Sequence, residues 1–153
     1  MVTLGIDYGD ARIGVAASDA LGMLAHPVET VAAQPADAAL RRLAELFRER
    51  RAAAVVMGLP LREDGTEGTA AEKIRKFAAR LSSLLPEGTP LEFQDEYGST
   101  KAAAEHLRSS GRRTHRHRPV IDQAAAVVIL QEWLDARAAK SGAGVLPDEW
   151  EDT

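Results

Sequence analysis

Apolar residues alternate at the start of the chain, at Val2, Leu4 and Ile6, and the alternation stops at a carboxylate, Asp7. A period of two marks a strand with one buried face. A second apolar stretch, Ile13 to Ala17, follows with Gly9 and Gly14 beside it. The two together predict a β-hairpin whose first strand ends in an acid. A third extended run lies at about 27–31. From 36 to 50 the spacing changes, with Leu40, Leu43, Leu46 and Phe47 on one helical face. Ala53 to Met57 is a short continuous apolar run, as suits a buried strand, and Gly58-Leu59-Pro60 ends it. A polar loop, 62–68, leads to a helix over 70–85 with Ile74, Phe77, Leu81 and Leu84 on one face. Pro86 and Gly88 break that helix. Residues 91–96 alternate again and end in Asp95 and Glu96. Ser99 or Thr100 can cap a helix over 100–110, and Gly111 closes it. The last and strongest helical pattern runs from 120 to 140.

The predicted order is β-β-β-α-β-α-β-α-α, an α/β fold. It consists of a three-strand antiparallel meander followed by strands that alternate with helices and therefore run parallel. One domain, 1–140, accounts for all of it. Residues 141–153 read as an acidic, flexible tail.

Length and composition fit that picture. A chain of 153 residues with 45% hydrophobic content can bury a full core. No stretch approaches the ~20 apolar residues that cross a bilayer. The first residues lack the pattern of a secretion signal, and cysteine is absent. Disulfides, a cysteine nucleophile and cysteine-bound zinc are thereby excluded, and a cytoplasmic protein without membrane contact is expected. The net charge of −4 argues at first against a nucleic-acid partner. However, four of the 23 acids lie in the last six residues, leaving 19 against 19 Lys and Arg in the body. Arg112, Arg113, His115, Arg116, His117 and Arg118 then concentrate positive charge in a predicted loop. A solvated basic loop is the plainer reading of that run.

Three acids share one pattern. Asp7 ends the first strand, Asp95 or Glu96 ends the last, and Asp122 opens the final helix in line with Ala126, Ile129 and Trp133. Strand ends on the C-terminal side of a parallel sheet line the natural ligand crevice. Carboxylates gathered there suit two Mg²⁺ or Mn²⁺ ions, hard cations that activate water and stabilise a leaving oxygen in phosphodiester cleavage. The competing readings are a turn aspartate at Asp7 and a helix-dipole partner at Asp122.

The motifs Gly5-Ile6-Asp7-Tyr8-Gly9, Arg12-Ile13-Gly14-Val15-Ala16 and Ser18-Asp19 occur in that order. They are followed by Val56-Met57-Gly58-Leu59-Pro60-Leu61, Asp64-Gly65, Asp95-Glu96, Ile121-Asp122-Gln123-Ala124-Ala125-Ala126 and Ile129-Leu130-Gln131. Through them the chain resembles the YqgF (RuvX) family, the RuvC-like branch of the ribonuclease-H-like nucleases, over about residues 2–134. The resemblance implies a ribonuclease-H-like fold with a five-stranded mixed sheet. It also implies metal-dependent cleavage of structured nucleic acid, either at the 5′ end of pre-16S ribosomal RNA or in Holliday-junction DNA. It assigns Asp7, Glu96 and Asp122 as catalytic metal ligands, with Asp95 as a substitute or supporting residue. Arg12, Arg112, Arg113, Arg116 and Arg118 become candidate nucleic-acid contacts. The family's arginine after the acid pair is Tyr97 here, which can stack on a base instead. A junction enzyme acting on two symmetric strands would favour a homodimer.

Two other classes compete. A non-catalytic nucleic-acid-binding module draws support from the missing arginine; retention of all three acids argues against it. An actin-like ATPase also opens with an acidic hairpin but needs two such domains, and the chain supplies one.

Overall fold

The computed structural model describes residues 1–96 and 114–152, with side chains over 1–96 and 121–140. Five strands form one mixed sheet. The first three are β1 (Val2–Tyr8), β2 (Arg12–Ser18) and β3 (Ala25–Ala32), joined as an antiparallel meander. Helix α1 (Ala36–Glu49) leads to β4 (Ala52–Pro60), which pairs parallel with β1. Helix α2 (Thr69–Ser82) leads to β5 (Leu91–Glu96), parallel to β4. The strand order is β3-β2-β1-β4-β5. The final helix, α3, spans Thr114–Asp152.

The pleat divides the side chains between two faces. Leu4, Ile6, Ile13, Val15, Val55, Met57 and Leu59 are buried on one face, in a continuous cluster with Leu40, Leu43 and Leu46 of α1 and Ile74, Phe77 and Leu81 of α2. The opposite face packs α3 through a smaller cluster of Ala16, Val56, Ala126, Leu130, Trp133 and Leu134. Here the sheet offers small residues, so the helix comes close. A Cβ at Gly5 would stand 2.6 Å from the Leu130 Cβ.

Several element boundaries differ from expectation. Strand β4 does not stop at Gly58, because Leu59 and Pro60 continue the ladder opposite Asp95 and Glu96. Pro60 is tolerated as the last residue of the strand. Helix α2 ends at Ser82, and two tight turns follow, with the Leu84 and Leu85 amides donating to Leu81 and Ser82. The tighter winding changes the helical phase, so Leu85 is buried and Leu84 is half exposed. Helix α3 begins six residues before the expected start at 120, and it takes up 114–118 of the expected basic loop. At its other end it runs through Ala138, Ala139 and Lys140, all good helix formers, into the segment expected to be a tail. The helix expected at 100–110, with Tyr97, Arg112 and Arg113, lies outside the described residues.

Candidate active site

The parity of β1 sets the first acid. Gly5 faces α3, so Asp7, two residues on, faces the same way, while Leu4, Ile6 and Tyr8 face α1 and α2. Glycines flank Asp7 on both neighbouring strands. Gly14 is its direct partner on β2. Gly58 follows Met57, the partner of Ile6, on β4. The missing side chains leave room above the middle of the sheet, and the other two acids use it.

Asp122 enters from α3. A Cβ at Gly14 would overlap the Asp122 carbonyl oxygen, so the helix backbone rests directly on β2. The next residue ties that contact down, with Gln123 Nε2 donating to Thr30 Oγ1 of β3 at 3.0 Å. Two turns later Gln131 repeats the clamp: its Oε1 accepts from the Ala25 amide at 2.8 Å and its Nε2 donates to the Met23 carbonyl at 2.9 Å. The Asp122 carboxylate is largely buried, and its Oδ2 lies 3.4 Å from Arg12 Nε. Arg12 was expected to contact nucleic acid; in the structure it is paired with a candidate catalytic acid. Asp122 is the ninth residue of α3, whose first turn has no acid, so the helix-dipole reading loses its basis.

Glu96 completes the row from the other side. A Cβ at Gly58 would overlap the Glu96 Oε1 and would stand 2.6 Å from the Ile129 Cδ1. The carboxylate therefore leans back from the end of β5 over β4, toward Asp7. Gly58, expected to end the strand, is instead part of the strand floor beneath this carboxylate. Parity separates Asp95 from the group. It shares its face with Leu91 and Phe93, on the α2 side. Its charge is felt there by Arg75, whose pKa is raised first by the hydrogen bond to Glu67 and also by Asp95.

Asp7, Glu96 and Asp122 thus lie on one face, at the C-terminal ends of the parallel strands. Glycine inside a strand is the signal for this geometry. Among the described residues, no three His, Asp or Glu side chains converge tightly enough to enclose an ion as they stand. The donor set is nonetheless all hard oxygen, which fits Mg²⁺ or Mn²⁺.

The fold is that of a ribonuclease-H-like domain. The RuvX family model, described as Holliday junction resolvase, matches residues 1–136, and the chain belongs to that family. A relative from Streptomyces avermitilis is 47% identical over 133 residues, 87% of this chain and 85% of its own. One from Crocosphaera subtropica is 40% identical over 136 residues, 89% and 94% of the two chains. Both carry the provisional name of a pre-16S rRNA nuclease. Two solved structures share the fold at low identity. RuvC from T. thermophilus in complex with a Holliday junction substrate has a TM-score of 0.51 at 19% identity, covering 90% of this chain and 95% of that one. Fowlpox virus resolvase with Holliday junction DNA has a TM-score of 0.54 at 10% identity, covering 89% and 98%. The family is one of nucleases, enzymes that hydrolyse nucleic acid. Among the described residues, no helix is long and apolar enough to cross a membrane.

Proposed function

We propose that the chain is a metal-dependent nuclease acting on structured RNA, the 5′ region of a 16S rRNA precursor, with Asp7, Glu96 and Asp122 as the catalytic acids. The observation that carries this reading is the glycine-flanked row. Gly14 and Gly58 admit the Asp122 backbone and the Glu96 carboxylate to either side of Asp7. The relatives of 40–47% identity support the choice of RNA.

In this reading Asp7, central in the sheet, holds the middle of the site. Glu96 and Asp122 flank it, the first with its carboxylate over Gly58 and the second with its backbone over Gly14. Mg²⁺ or Mn²⁺ bound there would supply the activated water and neutralise the leaving oxygen. Asp95 lies on the far face and takes no part. Arg112, Arg113, Arg116 and Arg118 precede Asp122 in sequence and are assigned to phosphate contacts; Tyr97, next to Glu96, is assigned to base stacking.

A second reading, junction-DNA resolution, rests on the family's own description; it would call for a homodimer. The two are separated by presenting a 5′-extended 16S precursor and a four-way DNA junction side by side, with Mg²⁺ and with Mn²⁺. Cleavage of the RNA with the junction left intact supports the first reading. The reverse supports the second. Binding of either without cleavage would make the chain a non-catalytic module.

A further inference from the structure

Arg12 and Asp122 form an ion pair inside the group of acids, and its setting is unusual in what is free to move. We infer that Arg12 is a positioning residue that holds the Asp122 carboxylate until a divalent cation takes its place; this rests on the metal-site reading above.

The roots of both side chains are fixed. Arg12 is paired with Ala32 in the β2–β3 ladder, and its carbonyl accepts the Gly9 amide at 3.0 Å across the β1–β2 turn. The Asp122 backbone rests on Gly14, and Gln123 is tied to Thr30. Neither main chain can withdraw, so the pair makes and breaks through side-chain rotation alone. The Arg12 side chain is 34% exposed and has a path to solvent, whereas the Asp122 side chain, at 19%, is mostly enclosed. The arginine is the partner that leaves.

Charge gives the reason for the pairing. Asp7, Glu96 and Asp122 place three carboxylates on one face, where like charges repel one another. Arg12 supplies an opposite charge at 3.4 Å from Asp122. The same charge opposes any cation that binds to Asp122. Arg12 therefore lowers metal affinity while it holds the ligand carboxylate in place. Once displaced, its guanidinium remains at the rim of the site as a fork of donors suited to a phosphate.

The test is a calorimetric titration of the full chain with Mn²⁺ alone. Removing the competing charge in Arg12→Gln is expected to tighten Mn²⁺ binding about three- to tenfold, the scale of a partly screened single-charge interaction. Arg12→Lys keeps the charge and should stay close to wild type. Arg12→Met keeps the apolar stem without the charge; it should match the glutamine variant and replaces it if that variant fails to fold. In an Asp122→Asn background the Arg12 substitution should have no further effect. Equal or weaker Mn²⁺ binding by folded Arg12→Gln or Arg12→Met overturns the inference while leaving the metal site standing. A folded wild-type chain that takes up no Mn²⁺ overturns the metal site itself, and the inference with it.

Discussion

The two faces of this sheet are built from opposite materials. Toward α1 and α2 the strands present Leu4, Ile6, Ile13, Val15, Val55, Met57 and Leu59, all but fully buried. Toward α3 the same strands present Gly5, Asp7, Gly14, Ala16, Val56 and Gly58, with Glu96 at the end of β5. The first face buries large aliphatic side chains, and that burial is the main favourable term in folding. The second face gives up side-chain volume so that a helix backbone and a carboxylate can reach the middle of the sheet. Because adjacent residues on each strand alternate between these faces, the large core positions and the proposed site positions are interleaved at single-residue spacing.

That division can be broken from either side. The largest expected effect is on the α3 face. Asp122→Asn removes the charge of a proposed catalytic acid, and losing several kcal/mol of charge stabilisation in the transition state corresponds to about 10²–10³-fold in rate. The melting temperature should hold, since the pair with Arg12 is partly exposed and such pairs contribute about 0–1 kcal/mol. A drop of several degrees with full activity would return Asp122 to a structural role. Leu43→Ala tests the other face. It empties a site 1% exposed in the main cluster and should cost about 2–5 kcal/mol in denaturant unfolding. Turnover by the fraction that stays folded should be close to normal.

Gly14→Ala sits between these cases. One methyl group would collide with the Asp122 carbonyl, so α3 must shift, at a cost of about 1–3 kcal/mol. Activity should fall as well, because the shift carries Asp122 with it. Stability lost without activity lost would separate the two functions assigned to this contact.

The smallest effect lies away from the site and concerns acid. Arg42 donates to both Glu29 oxygens at 2.8 Å and holds that carboxyl below the ordinary glutamate value of 4.5. A group lowered in the folded state adds stability in full above its unfolded value, and loses it as the pH falls through the folded value. Glu29→Gln should therefore be slightly less stable than wild type at neutral pH and should converge with it as the pH falls below 4.5 and through the folded value. A gap that persists into strong acid would show that Glu29 acts through packing.

Much of this was legible in the sequence, and the exceptions have physical causes. Period-two and helical spacing placed β1, β2, β5 and the buried faces of α1 and α3, because burial on one side imposes those periods. Parity within β5 also carried an answer left open between Asp95 and Glu96. Phe93 belongs to the core, so Asp95 must share its face and Glu96 the other. Helix ends were less legible. The start of α3 at Thr114 lies within a run of Arg and His that reads as a loop, and Pro119 falls inside the helix. The pairing of Arg12 with Asp122 joins residues 110 positions apart, which no local pattern can reveal. Gly14 read as a glycine beside an apolar stretch and Gly58 as the end of one, and what presses on them depends on tertiary packing.

The central claim is that the acids on the α3 face perform cleavage while the opposite face holds the fold. Asp7→Asn tests it most directly, with cleavage of the 5′-extended 16S precursor in Mn²⁺ and thermal unfolding measured on the same preparation. The account predicts a loss of cleavage of about 10²-fold or more, with a melting temperature equal to or slightly above that of the wild type, since one repulsive charge is gone. Cleavage within about tenfold of wild type would contradict it.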